Sequence, residues 1–306
     1  MQDQLIPPVK LTQTIQATKF ESPSLDPFRN SEQKDKLFWY IKKCYLQQMS
    51  DEDIIKQFTG IGWPIEFIND CLKKLSVFRE NIVIGINGIT KIFETESGSQ
   101  TILDDVSLDV HKGEFLAITG RSGAGKSTLL NLIGLLDETT KGSIFVNGNN
   151  IFGFSEKQKV QYRLKMVSYI FQFFNLIDNY NVIENIAFPL KLQGYSKKKA
   201  IEKSKEIIEF LNMEQKAHQY PRKLSGGEQQ RVAIGRAMAK DSLIILADEP
   251  TAHLDLKNGL AVIGLLREIN LKFAKTVILV THEKDFTKDA DSVVLLSDGK
   301  IKDVEI

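Results

Sequence analysis

The chain of 306 residues is poor in cysteine, in net charge, in long apolar runs and, beyond its first 30 residues, in proline. Its two cysteines, Cys44 and Cys71, both fall inside apolar helical patterns. They are too few for a disulfide framework and read as small buried hydrophobes of a reducing compartment. Lys and Arg number 40 against 39 Asp and Glu, so a net charge of +1 gives no general electrostatic basis for nucleic-acid binding. No run of about twenty apolar residues exists, and the N-terminus lacks the charged-then-apolar order of a signal peptide. The chain is therefore not expected to cross a membrane itself. Four of its eight prolines, Pro7, Pro8, Pro23 and Pro27, crowd the first 30 residues, which lack periodicity and read as a disordered tail over 1–30. The length left over suits one large domain and something smaller.

The smaller unit is expected at 31–80 as a compact all-α module. Leu37, Tyr40, Ile41 and Cys44 share one helix face, Ser50 with Asp53 has the spacing of a capping box, and Trp63-Pro64 opens a further helix through Ile68, Cys71, Leu72 and Leu75. Its basic and acidic residues are equal in number, which argues against DNA and for docking or partner contact. It resembles a short Gly-Trp-Pro helical element of various bacterial membrane-associated proteins, which carries no assigned chemistry. So small a core predicts packing on the rest of the chain or on a partner.

Chemistry begins at Gly120-Arg121-Ser122-Gly123-Ala124-Gly125-Lys126-Ser127-Thr128, a G-x-x-x-x-G-K-[ST] stretch. It follows an apolar run, Phe115 to Thr119, and opens a helical pattern through Ile133, which is the strand-loop-helix context this motif needs. Backbone N–H groups and the helix N-terminus then face an anion. The glycines permit turns that a Cβ would obstruct, Lys126 reaches the β and γ phosphates, and the Ser127 hydroxyl suits Mg²⁺. A second apolar run, Leu243 to Ala247, ends in Asp248-Glu249-Pro250. It reads as a parallel strand buried on both faces, with chemistry at its C-terminal end. Asp248 there holds the metal through water, and Glu249 polarises a water against the γ-phosphate.

Between these runs lies Leu224-Ser225-Gly226-Gly227-Glu228-Gln229-Gln230-Arg231, which resembles the signature sequence of ATP-binding cassette (ABC) proteins. Ser225 and the N–H groups of Gly226 and Gly227 at a helix start form another anion site. The resemblance implies that Ser225 to Glu228 serve ATP held by a second subunit. It also implies a Q-loop glutamine at Gln172, sensing metal and attacking water, a D-loop at Leu254-Asp255, and a γ-phosphate-sensing histidine at His282. Phe93 stands where family members carry an adenine-stacking aromatic, and a core Phe fits the position as well. A phosphate-loop kinase is excluded mainly by Leu224 to Arg231.

The resemblance runs from about Ile82 to the C-terminus. Phe171 to Leu176, Val182 to Ile186 with Pro189-Leu190, and Leu246 to Thr251 look like the macrolide-exporter and lipoprotein-release (MacB/LolD-like) group. Two departures stand out: Ala252-His253 before the D-loop, and Gly235 in place of Ala at a cost of about 1 kcal/mol in a helix interior.

The expected fold is thus an α/β P-loop cassette at 82–306. It comprises a mainly parallel sheet, an antiparallel β part, and a helical subdomain at about 173–235. Strands are expected near Val83–Ile86, Phe115–Thr119, Val167–Phe171, Leu243–Ala247, Thr276–Val280 and Val293–Leu296. Helices are expected at Val182–Leu192 and Lys197–Leu211. Phe173-Phe174 either receive a membrane subunit or belong to the subdomain core. The implied protein is a Mg²⁺-dependent ATPase acting as a head-to-tail homodimer. It is cytoplasmic, held at the inner face of the cell membrane by integral membrane permease subunits, and serves export or lipoprotein and peptide extraction. A non-transport ABC ATPase controlling cell division or cell-wall hydrolysis is the alternative. No nucleic-acid partner is expected.

Overall fold

The computed structural model describes residues 37, 38, 40, 41, 44, 49–79, 81–95 and 98–305. The tail expected at 1–30 lies outside them. Ahead of the sheets come the helical residues Leu37, Phe38, Tyr40, Ile41 and Cys44, then α1 (Asp51–Thr59) and α2 (Ile65–Arg79). Ser50 caps α1 by accepting from Asp53 N at 3.1 Å, and its hydroxyl donates to the Asp53 carboxylate at 2.6 Å. The Pro64 carbonyl accepts from Phe67 N and Ile68 N, so the proline supplies the first acceptors of α2. Leu37, Ile41, Ile54, Phe58, Trp63 and Ile68, with Cys44 and Cys71, form a separate apolar core.

Two sheets follow. The first is antiparallel, in the order β2 (Gly98–His111), β1 (Ile82–Thr95), β4 (Lys141–Val146), β5 (Asn149–Asn150). Val83–Ile86 is therefore part of this antiparallel sheet and not a parallel strand. A long strand joined to its neighbour by a short connection pairs antiparallel, because a parallel partner needs a crossover.

The second sheet has the order β10 (Lys300–Glu305), β9 (Ser292–Ser297), β3 (Phe115–Thr119), β8 (Thr276–Val280), β7 (Ile244–Asp248), β6 (Val167–Ile170). All its pairs are parallel except β10 with β9. Side chains alternate between two cores. Leu116, Ile118, Leu246, Ile278 and Val280 face the antiparallel sheet and α3 (Lys126–Ile133). Phe115, Ile245, Ala247, Val277 and Leu279 face the helices α5 (Val182–Leu192), α6 (Lys197–Phe210), α7 (Gly226–Ala239) and α8 (Leu256–Phe273). Burial on both faces is why β3 and β8 read as unbroken apolar runs. The short helix α4 (Glu156–Lys165) lies in the chain between β5 and β6.

Gly235 is more than a helix-propensity cost. A Cβ there would stand 2.7 Å from Leu211 Cδ1 and 2.9 Å from Ile186 Cδ1, so the glycine allows α5 and α7 to approach closely.

A buried ion pair fixes α8 to the parallel sheet. Arg267 Nη2 donates to Asp291 Oδ1 at 2.9 Å, and Asp291 Oδ2 accepts from Phe115 N at 2.8 Å. Asp291 is fully buried and Arg267 nearly so. Arg267→Met keeps the bulk but removes the cation from the buried carboxylate, and a loss of about 3–5 kcal/mol is expected in urea unfolding.

Candidate nucleotide site

The register of the parallel sheet assembles the site. Ile118 pairs with Val280, and Val280 pairs with Asp248, so the C-terminal ends of β3, β8 and β7 lie side by side. Each strand ends in one of the sequence motifs: the loop Gly120–Gly125, Thr281-His282, and Asp248-Glu249. A doubly wound sheet collects ligand chemistry at this edge.

Two glycines of the loop are there for space. A Cβ on Gly120 would stand 2.1 Å from the Leu296 carbonyl oxygen. One on Gly125, whose φ is 99°, would stand 2.8 Å from the Ile102 carbonyl oxygen and 2.7 Å from Leu103 Cδ2. The loop between them folds back on itself, with Ala124 N donating to Arg121 O at 3.2 Å. Lys126 is 4% exposed, and its Nζ donates to the carbonyls of Gly120 at 2.9 Å and Arg121 at 3.0 Å. The ammonium is thus held inside the loop's curve and not extended into solvent.

Ser127 Oγ donates to Asp248 Oδ1 at 2.8 Å. Burial holds the Asp248 carboxyl above its ordinary value of 3.8; the Ser127 hydroxyl and Lys126 oppose the rise, and the adjacent Glu249 adds to it. Glu249 itself adopts a left-handed backbone at φ 43°, with its N–H donating to Val280 O at 3.0 Å. This conformation is unfavourable for a residue with a Cβ, and the sheet-edge hydrogen bond sustains it. Its carboxylate stands between two cations or potential cations, Lys126 Nζ at 3.9 Å and His282 Nδ1 at 3.2 Å.

Gly125, Lys126, Ser127 and Glu249 border a cavity of about 360 Å³, whose walls also include Phe93, Ile102, Ser122, Gly123, Thr128 and Gln172. Asp248 and His282 stand behind that wall, in contact with Ser127 and Glu249. Phe93 is 40% exposed with Lys91 Nζ 4.6 Å from its ring centre, so it is a surface aromatic at the cavity's edge and not a core residue. The structure therefore brings together Phe93, the loop through Thr128, Gln172, Asp248, Glu249 and His282.

The remaining expected residues lie outside this cavity. Ser225 caps α7 in a reciprocal box: Ser225 N donates to Glu228 Oε2 at 2.8 Å, and Glu228 N to Ser225 Oγ at 3.4 Å. The Ser225 backbone N–H is the main cause that lowers the Glu228 carboxyl, helped by the Ser225 hydroxyl and Lys216. Gly226 abuts Leu254, 3.3 Å from where its Cβ would be. Asp255 caps α8 by accepting from Asn258 N at 2.9 Å and Asn258 Nδ2 at 2.7 Å. Phe173 is exposed and packs on His253, ring centres 4.9 Å apart, so the departure at His253 joins the D-loop to the segment after Gln172.

Three residues that sequence reading passed over support the site. Ile102 forms cavity wall from β2, a strand whose bulged pattern hid its position. Tyr169 donates to Asn131 at 2.8 Å, and burial next to Asp248 raises its phenol. Arg236 donates to the carbonyls of Phe174 and Asn175, tying the segment after Gln172 to α7. An arginine on a partly buried helix face was the available signal.

The geometry defines a phosphate-loop nucleotide site at the edge of a parallel sheet. Comparison with known proteins places it within one family. The family described as ABC transporter matches residues 103–252. An uncharacterized ABC transporter ATP-binding protein of Methanocaldococcus jannaschii is 39% identical over 222 residues, 72% of this chain and 99% of that protein. The methionine import ATP-binding protein MetN of Haemophilus influenzae is 40% identical over 220 residues, 72% of this chain and 64% of MetN. Among solved structures, the ATP-binding cassette MJ0796, a dimer bound to ADP and Pi in a post-hydrolysis state, is similar with a TM-score of 0.68. Its identity is 34%, covering 72% of this chain and 97% of that one. The chain belongs to the ABC transporter family as an ATP-binding cassette protein, and it is an ATPase.

A carboxyl with a raised pKa costs stability where the folded state must hold it ionised. That cost is absent below about pH 3.8, where both states are protonated, grows as pH rises through the higher native value, and is complete at neutral pH. Asp248→Asn is therefore expected to raise the Tm of the nucleotide-free protein at neutral pH, by an amount that shrinks as the pH is lowered toward 4. Calorimetry across that range checks the slope; a gain independent of pH would assign the change to packing.

Proposed function

We propose that the chain is the nucleotide-binding subunit of an ABC transporter, closing head to tail as a homodimer on two ATP molecules and driving integral membrane permease subunits. The cavity chemistry suits the ligands. Ser127, Asp248 and Gln172 form an oxygen donor set of the hard kind that Mg²⁺ takes, directly or through water. The glycine-shaped loop and Lys126 suit the β and γ phosphates. When bound, the metal supplies charge neutralisation at the phosphates.

The chain's own residues do the rest. Lys126, already inside the loop, offers its ammonium to the phosphates. Glu249 is oriented by its constrained backbone and by Lys126 and His282 to accept hydrogen bonds from an attacking water. Catalysis is positioning plus charge stabilisation, with no covalent intermediate required. His282 and Gln172 report the γ-phosphate and metal to the rest of the chain, and Phe93 offers a face to adenine.

The observation that carries the dimeric reading is that Ser225 to Glu228 begin α7 outside the cavity of their own phosphate loop. Helix-start donors of this kind serve an anion, which a second chain would bring. Among the described residues no helix is long and apolar enough to cross a membrane. Attachment to the cytoplasmic face then falls to partner subunits. Exposed Phe173 favours a contact there with a membrane subunit, and the module within 31–80 is read as a further docking unit. For direction we favour export or extraction of lipoproteins or peptides. A second reading, import, is favoured by the 40% identity to MetN.

Glu249→Gln tests the mechanism. It is expected to keep ATP binding, lose nearly all turnover and accumulate an ATP-dependent dimer in size exclusion; wild-type turnover would remove Glu249 from the chemistry. The composite site is tested by mixing. Ser225→Arg and Lys126→Ala chains should each be inactive alone, whereas their mixture forms one site with neither lesion and recovers part of the activity. Loss of ATP affinity in the isolated Ser225→Arg monomer would place Ser225 in its own pocket instead. Deleting residues 1–80 is expected to leave basal hydrolysis within a few-fold of wild type while weakening association with the membrane partner in pull-down; a folded truncation that binds no ATP would make the module part of the catalytic unit.

A further inference from the structure

Among the described residues, Gln230 is the one buried side chain whose polar atoms lack partners: it is 0% exposed, and neither Nε2 nor Oε1 meets a hydrogen-bonding group. An amide stripped of water and given nothing in exchange is costly, and an isolated case in a folded chain calls for a physical cause.

The surroundings of Gln230 supply one. It lies on α7 one turn after Gly226 and shares its face. Helical side chains lean toward the N-terminus of their own helix, which directs this amide to the turn at Gly226 and Gly227. There the Cβ position of Gly226 is 3.3 Å from Leu254 Cδ2, 3.7 Å from the His253 carbonyl oxygen and 3.7 Å from Phe174 Cζ. Two motif-bearing segments thus meet α7 at Gly226, one turn before Gln230: the one following Gln172 and the one preceding Asp255. The first is already held by Arg236 at the Phe174 and Asn175 carbonyls, with Asn175 in a left-handed backbone at φ 49°. The second is joined to it through the contact of His253 with Phe173.

We propose that Gln230 is a positioning residue for dimer closure. Its amide, unsatisfied in this arrangement of the chain, gains backbone partners from these two segments when they shift as ATP closes the dimer. An interaction made only in the closed arrangement, by a group that is penalised in the open one, shifts the equilibrium toward closure. The inference rests on the dimeric reading above, and it adds a link between the helix start that serves the partner's ATP and the segment that carries Gln172.

Gln230→Leu keeps the bulk and removes the amide. In the nucleotide-free protein it is expected to raise Tm by about 2–4 °C, because the orphan is gone. Combined with Glu249→Gln, it is expected to raise the ATP concentration for half-maximal dimer by about tenfold, read by light scattering after size exclusion. Gln230→Met, unbranched, gives the same two readings should the leucine variant fail to fold. A lower Tm in the nucleotide-free state, or failure of both variants to fold, means that the amide is paired there, by water or by protein, and overturns the proposal. A raised Tm with unchanged ATP dependence also overturns it. Absence of an ATP-dependent dimer in Glu249→Gln alone would instead bring down the dimeric reading and this inference with it, and that control identifies which of the two has failed.

Discussion

Everything at the nucleotide site depends on the parallel register of three strands. Because Ile118 pairs with Val280 and Val280 with Asp248, three loops that are far apart in sequence leave the sheet at one height. A slip of one residue in β7 would turn Asp248 to the opposite face of the sheet, since side chains alternate along a strand. The register is held by two apolar faces at once, with Leu246 facing one core and Ile245 and Ala247 the other. Placement of the acidic residues is therefore a consequence of ordinary core packing.

At the end of that register the backbone stops being ordinary. Asp248 is still strand, while Glu249 turns left-handed. The turn separates two adjacent carboxylates that would otherwise compete for the same ground: Asp248 goes to the Ser127 hydroxyl, and Glu249 goes to the space between Lys126 and His282. Two acids with distinct surroundings take distinct roles in the proposed mechanism, one toward metal and one toward water.

How much of this was readable in advance follows from what each residue answers to. That Gly125, Lys126, Ser127, Asp248 and Glu249 gather at one sheet edge was legible because motifs of few residue types at fixed spacing follow apolar strand runs. The strands β3, β7 and β8 were legible because burial on both faces leaves an apolar run, and β6 and β9 because their β-branched and aromatic residues stand in short runs although Leu295 of β9 is exposed. β2 was not, because its pairing with β1 is interrupted by register shifts and by left-handed turns at Gly88 and Asp105, which break the alternation a strand normally shows. For the same reason Ile102 went unseen as cavity wall. Gly235 was read only in part because propensity concerns one helix, whereas the close approach of Ile186 and Leu211 involves other segments. The environment of Phe93, open between surface and core in the sequence, was decided by its place where β1 runs on past its pairing with β4, and by Lys91.

The same distinction bears on how the halves of the chain communicate. Motifs describe what touches the nucleotide, and they are silent about what transmits its presence. The contacts placed to carry it in the proposed mechanism are those of the Arg236 side chain with the carbonyls of Phe174 and Asn175, and of Gly226 with Leu254 and the His253 carbonyl. Such contacts leave no residue pattern except an arginine on a partly buried face and a glycine at a helix start. They nonetheless join the segment after Gln172 to α7, and the start of α7 to the residues before α8. If γ-phosphate and metal act on Gln172 as proposed, the displacement reaches Ser225, the group offered to the second subunit, by a path a few residues long.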